Sequence, residues 1–140
     1  MCQYVDMVCL HCSGETSVTN SRPQQRSNQV WRRRQCRKCS AVFTTTETAQ
    51  YGGAWAVRGK SGHLSPFSRD KLFLSLYKSC GHRKTALNDA GALADTVIKK
   101  LAGLVSGGKI ESKAITQVVQ VALNRFDKAA SSHYQAFHRV

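Results

Sequence analysis

The second half of the chain is written in a helical period. After Ser68, apolar side chains fall at Leu72, Phe73, Leu76, Tyr77 and Cys80, one stripe that Gly81 interrupts. A serine at its head and a glycine behind it predict a helix from a Ser68 cap to about Cys80. A second helix, opening near Thr85 or Asn88, aligns Ala90, Leu93, Ala94, Val97, Ile98, Leu101 and Leu104, and Gly107–Gly108 ends it. A third, capped by Ser112, turns Ile115, Val118, Val119, Ala122, Leu123 and Phe126 inward. Lys128 to Val140 reads as a last helix, weakened by the Ser131–Ser132 pair. These stripes are core and carry no chemistry. Ahead of them, Ala54–Val57 and Leu64–Phe67 flank a turn at Gly59 and Gly62, the pattern of a short hairpin. A small antiparallel sheet packed against a few helices is expected.

The first fifty residues lack any long amphipathic helix pattern, are rich in polar side chains, and hold five of the six cysteines. Composition changes at Tyr51-Gly52-Gly53, where the glycine pair supplies a flexible or tightly turned join. The expected fold class is therefore α+β, with a small β domain over residues 1–50 and a mainly helical domain over residues 51–140. A chain of 140 residues has room for that pair.

Charge narrows the choice of partner. Twenty-one Lys and Arg stand against 8 Asp and Glu, a formal net charge of +13. That excess favours a polyanion, most simply nucleic acid, over a merely solvated surface. No apolar run has the length a membrane span needs, and Met1 to Leu10 contains Asp6 without a basic cluster, unlike a signal peptide. A cytoplasmic setting with reduced cysteines is the expectation, which directs six cysteines toward metal rather than disulfides.

Four of them have metal spacing. Cys9-Leu10-His11-Cys12 and Cys36-Arg37-Lys38-Cys39 are two Cys-x-x-Cys knuckles with 23 residues (13–35) between them. Each knuckle brings two thiolates to one ion from a tight turn, and two knuckles complete the tetrahedral sulfur set that Zn²⁺ prefers. A rubredoxin-like iron site uses the same ligands, and paired redox dithiols are the other alternative. One structural zinc per chain, held by Cys9, Cys12, Cys36 and Cys39, fits a polar segment with little core of its own. His11 is read as exposed within its knuckle, Cys2 as part of a loose terminus, and Cys80 as packing on its helix stripe.

From Arg22 through Lys38 the chain has seven basic residues (Arg22, Arg26, Arg32, Arg33, Arg34, Arg37 and Lys38) and no acid. If Val30 to Arg34 is a strand, Arg32 and Arg34 project to one face, and Trp31 and Arg33 to the other. Arg22, Arg32, Arg33, Arg34, Arg37 and Lys38 are the candidate DNA contacts, since arginine can follow phosphates and read guanine. The plainer alternative is a charged strand that blunts an exposed sheet edge.

Three segments together resemble the bacterial NrdR family of repressors of ribonucleotide reductase genes. They are Val18-Thr19-Asn20-Ser21-Arg22, Trp31-Arg32-Arg33-Arg34-Gln35-Cys36-Arg37-Lys38-Cys39 and Phe43-Thr44-Thr45-Thr46-Glu47. The resemblance covers nearly the whole chain in the same motif order. It implies a zinc ribbon followed by an ATP-cone, a helical unit with a leading hairpin that binds ATP or dATP. Nucleotide contacts are implied at Val57, Arg58, Lys60, Ser68, Lys71 and Ser112. Val57, Gly62, Phe67 and Lys71 agree with the cone's signature, and Lys60 stands for its arginine. Gly59, Ser61 and Ser65 depart from its Lys, Asp and Glu, and Asn20 from the ribbon's Asp. Arg58 adds a cation one place early, where strand alternation turns it the other way. Met1 to Asp6 reads as an extension or an upstream start.

The resemblance implies that the ribbon docks on double-stranded DNA while the cone exchanges adenine nucleotides and changes how homo-oligomers assemble. High dATP would favour repression. A zinc-ribbon protein-interaction module with a degenerate cone as scaffold is the alternative reading. An enzyme ranks third: no Cys–His or carboxylate pair is poised for chemistry, no P-loop is present, and Mg²⁺ ligands are scarce.

Overall fold

A computed structural model describes residues 6–138. The expectations for Cys2 and for Met1 to Val5 fall outside them, while the last helix, expected from Lys128 to Val140, ends at Phe137 with His138 as its non-helical cap. By contacts the chain divides into two compact units between Ala49 and Gln50.

The first unit is a three-stranded antiparallel meander of β1 (Thr16–Gln24), β2 (Gln29–Cys36) and β3 (Val42–Thr48). Thr16 pairs with Cys36 and Gln24 with Gln29, so the two knuckles lie together at one end of the sheet. The register slips between Val18 and Asn20, a β-bulge at Thr19. Among the described residues its only buried apolar side chains are Cys9 and Cys36. A sheet that short has no second layer to bury a face against, so the metal knuckles stand where a core would be.

The second unit opens with one helical turn, α1 (Tyr51–Ala54), where the sequence suggested a loose join and the start of a strand. Gly52 permits this turn because a Cβ there would lie 3.0 Å from the Phe67 carbonyl oxygen. The turn gathers Tyr51, Trp55 and Phe67, with Phe67 edge to face on both other rings and Tyr51 tilted against Trp55, centroids 4.6 to 6.3 Å apart. Strands β4 (Ala56–Arg58) and β5 (Leu64–Pro66) form the expected hairpin. The expected purely antiparallel sheet is corrected: β6 (Lys109–Glu111) pairs parallel to β4, making a mixed sheet of order β5-β4-β6. Three residues are too short to show a period, yet Ile110 is buried between two exposed charges as strand alternation requires.

Helices α2 (Arg69–Ser79), α3 (Ala86–Ala102), α4 (Ser112–Phe126) and α5 (Lys128–Phe137) pack on one another, and α4 also meets β6. Leu76, Leu101, Leu123, Val97, Val119 and Cys80 are fully enclosed, so the helical stripes supply the core and Cys80 is packing. Leu104, expected on the inner stripe, is exposed because α3 stops at Ala102 and the chain turns at Gly103. Phe126 lies at the rim, with the Arg83 guanidinium 4.7 Å from its ring centroid. Ser68 caps α2 by accepting from the Lys71 amide at 3.2 Å. Ser112 does not cap α4: it is the first helical residue, behind Glu111, and its hydroxyl makes no cap bond. Asp127 caps α5 from the Ala130 amide and also binds His82 and Arg83. These donors, the Ala130 amide first, hold its carboxyl well below the usual range. The Ser131 hydroxyl, awkward inside a helix, is buried and accepts from the Gln120 amide.

Candidate metal centre and nucleic-acid interface

The two knuckles are built alike. The Ser13 amide donates to the Cys9 carbonyl (3.0 Å) and the Ser40 amide to the Cys36 carbonyl (3.2 Å). Each loop then reverses through a left-handed serine, Ser13 at φ 59° and Ser40 at φ 61°. Both first cysteines close the turn by donating their amides, Cys9 to Gly14 (2.8 Å) and Cys36 to Ala41 (2.9 Å). Gly14 has no room for a side chain: a Cβ there would meet Cys12 Sγ and Cys36 Sγ at 3.2 Å.

The result is a four-sulfur cluster in which all Sγ atoms lie within 4.8 Å of one another. The Cys9–Cys39 and Cys12–Cys36 separations are 3.6 and 3.5 Å. A regular tetrahedron with Zn–S bonds of about 2.3 Å requires about 3.8 Å between sulfurs, so the donor set fits zinc. Amides of His11, Lys38 and Cys39 point at Cys9 and Cys36 sulfur at 3.3 to 3.4 Å, which favours thiolate. The Cys36 thiol is lowered to about 6, first by the Cys39 amide. At Cys39 the Ala41 amide favours the thiolate, but the neighbouring thiols and desolvation push it up to about 12. Four sulfurs this close cannot all carry charge without a cation among them, and a divalent ion resolves that conflict. His11 is exposed and outside the cluster.

The register separates the arginines as strand alternation requires. On one face, Arg32 donates to Ser21 Oγ (3.0 Å) and to Glu47 (3.1 Å). Arg34, below it, is buried at 7 % exposure and donates to Asp6 (2.9 Å) and Thr45 Oγ1 (3.3 Å). That Arg34 bond holds the Asp6 carboxyl below its ordinary value, helped by the Met7 amide. The opposite face carries Trp31 and Arg33. The bulge at Thr19 matters here: it carries Asn20 and Arg22 across, opposite Arg33 and Trp31, where unbroken alternation would put Arg22 opposite Val30. Asn20, Arg22, Trp31, Arg33, Thr44 and Thr46 line a concavity of about 640 Å³ on this face. Among the described residues neither Arg22 nor Arg33 has an acidic partner. Arg37 lies in the second knuckle with Glu15 at 3.8 Å, both largely exposed, and Lys38 follows it. The sequence reading missed Asp6 and Glu47 as arginine partners, and Asn20, Thr44 and Thr46 as neighbours of Trp31. The bulge, which no sequence period reveals, sets that grouping.

In the second unit Val57 is half-buried at the centre of the sheet, between Ser65 and Ile110. Arg58 pairs with Glu111 at 3.4 Å across the parallel strands. Lys60 is exposed in the hairpin turn and Lys71 exposed in the first turn of α2, beside the Ser68 cap. Neither lysine has an ion-pair partner among the described residues. Ser112, at the first turn of α4, is half-buried.

Residues 7–47 match the family model described as the N-terminal domain of the transcriptional repressor NrdR-like proteins. Whole-chain relatives agree. The transcriptional repressor NrdR of Symbiobacterium thermophilum is 32% identical over 133 residues, covering 95% of this chain and 87% of its own. The proteins of that name from Rhodopseudomonas palustris strain BisA53 and Leifsonia xyli subsp. xyli are 35% and 34% identical over 136 residues. They cover 95% and 94% of this chain, and 82% and 83% of their own. Their names describe regulators rather than enzymes. A ribbon with a four-thiolate zinc centre, joined to a mainly helical unit and matched along nearly all its length, places this chain in the NrdR family of transcriptional repressors.

Proposed function

We propose that the chain represses ribonucleotide reductase genes by docking its zinc ribbon on double-stranded DNA, under control of ATP or dATP bound by the second unit. The observation that carries the DNA part is a ribbon whose buried apolar side chains, among the described residues, are two knuckle cysteines, with a dense set of basic side chains of which Arg22 and Arg33 have no described acidic partner. Arg22, Arg33, Arg37 and Lys38 are the contacts offered to the duplex. Arg32 and Arg34 act mainly through Glu47 and Asp6, bracing the sheet that presents the others. One ribbon buries too little surface for high specificity, so homo-oligomers that engage paired sites supply the rest.

The nucleotide part rests on Lys60 and Lys71, two unpaired ammonium groups on the hairpin turn and at the head of α2, where an anion is favoured. Gly59, Ser61 and Ser65 remove a cation and two acids from the cone signature, so binding is expected to be weaker than in relatives. A nucleotide alters repression only by binding one oligomeric arrangement better than another. The setting is cytoplasmic, on the bacterial nucleoid.

Footprinting the zinc-loaded protein on its own ribonucleotide reductase promoter, with and without dATP, tests this reading. A protected, paired site that dATP strengthens is expected. Calorimetry and sizing with ATP and dATP accompany it, and Lys71→Ala should abolish heat while leaving the protein folded. No footprint refutes the DNA assignment. No heat and no change of size would make the second unit a scaffold.

A further inference from the structure

The ribbon's two faces differ in what they leave open. On the Arg32–Arg34 face each guanidinium already has a carboxylate and a hydroxyl. On the other face Trp31 stands half-exposed at 47 % between Arg22 and Thr46, with Arg33, Asn20 and Thr44 one step along the strands. No described guanidinium of the ribbon stacks on its indole; the cation–π contact found in the chain is at Phe126. What sets Trp31 apart is its setting: its ring lies open beside two guanidinium groups without acidic partners among the described residues, on a concave face a polyanion can cover.

The side chains around it are those that recognise bases. Arginine suits guanine O6 and N7, asparagine suits adenine N6 and N7, and an apolar surface suits the thymine methyl. Their spacing also suits a duplex. Successive same-face residues of a strand lie about 6.7 Å apart, close to two base-pair steps of about 3.4 Å. The Arg22–Trp31 and Asn20–Arg33 pairs span the outer strand β1 and the central strand β2 of the three-stranded sheet, and it is this edge portion that would enter the major groove. Thr44 and Thr46 on the flanking strand are left to face phosphate.

We propose that the Trp31 face is the base-reading surface of the ribbon and that Trp31 determines sequence preference by covering a thymine methyl in the major groove. Arg22 and Arg33 hold the ribbon in the groove on either side of the indole, and Asn20 reads the neighbouring pair. The proposal rests on the DNA-binding reading above and adds to it which face reads and which side chain discriminates.

The test uses the full-length zinc-loaded protein and duplexes enriched from a pool randomised over two helical turns, with a shuffled duplex as control. Trp31→Ala should lower affinity for the enriched duplex roughly tenfold and for the shuffled one by less than about twofold, with zinc content unchanged. Trp31→Phe should retain most of the discrimination. Arg33→Gln should weaken both duplexes and reduce the salt slope by roughly one contact. The decisive arm replaces thymine by deoxyuridine at each enriched position, deleting only the methyl. At one position this should cost the unmodified protein about threefold or more and cost Trp31→Ala almost nothing. Equal sensitivity of the two proteins to deoxyuridine, or Trp31→Ala binding the enriched duplex within twofold of the parent, overturns the proposal while leaving DNA binding intact. Failure of the unmodified protein to enrich or bind any duplex removes the DNA-binding reading and this proposal together.

Discussion

Replacing Cys36 by serine removes one of four thiolates from a unit that encloses almost nothing else. Among its described residues Cys9 and Cys36 are the only buried apolar side chains, so hydrophobic burial contributes little to its stability. Structural zinc contributes about 10–16 kcal/mol in comparable small domains. Losing one ligand in four sheds roughly a quarter of that, about 2.5–4 kcal/mol. Roughly 0.05–0.15 kcal/mol per residue leaves a unit of this size only about 2–7 kcal/mol of net stability. Unfolding of the ribbon is therefore the expected outcome. The helical unit has its own core around Leu76, Leu101 and Leu123 and, among the described residues, no cluster of metal-ligating side chains, so its melting should persist. Zinc content, far-ultraviolet dichroism and DNA binding measured on one preparation would show zinc and duplex affinity lost together while helicity stays. A Cys36→Ser protein that keeps a full zinc complement and binds DNA refutes the reasoning. So does a single transition in which both units unfold at once, or anaerobically purified parent protein that contains iron.

Two further outcomes concern the second unit. Leu123→Ala deletes a fully enclosed side chain and should cost about 3 kcal/mol, lowering its melting temperature by roughly 10–20 °C; a shift under 3 °C would mean the site collapses freely. Asp89 is lowered by the Thr85 hydroxyl and then Arg83, and Asp127 by its own donors, so both carboxyls sit below their unfolded value of about 3.9. Their stabilisation is complete above that pH and is lost as pH falls through the folded values. Acid titration of the helical signal should therefore be flat from neutrality to about pH 5 and fall below pH 4, and Asp127→Asn should flatten the fall; an unchanged profile would count against the Arg83 network.

The legible part of the fold was periodic or punctuated. Ser68, the stripe through Leu76 and Cys80, and the paired Cys-x-x-Cys knuckles each have a sequence period or spacing that one physical requirement sets. The illegible part depended on contacts between distant residues. Ile110 belongs to a strand only because β4 lies beside it, and a three-residue segment has no pattern of its own. Leu104 continued its stripe in sequence after the helix had ended. Composition could count the arginines, but whether each was free or paired depended on Asp6, Glu47 and one extra residue in β1. Alternation along β2 correctly separated Arg32 and Arg34 from Trp31 and Arg33, while the placement of Arg22 required the bulge.

The parallel pairing of β4 with β6 has a consequence for the order in which the second unit assembles. Arg58 and Glu111, joined across it, are 53 residues apart, and α2 and α3 lie in the intervening loop. Closing so long a loop before its contents are compact costs chain entropy that three short ladder bonds cannot offset. The helices must dock first and bring the strand ends within reach. The β4–β6 pairing is then expected to form after the helices dock and to open before them, while the β4–β5 hairpin closes only a short loop; the turn bearing Lys60 shares strand β4 with that late-closing edge. Native-state hydrogen exchange would place the amides of Val57 and Ile110 among the early-opening groups, ahead of the interiors of α3 and α4.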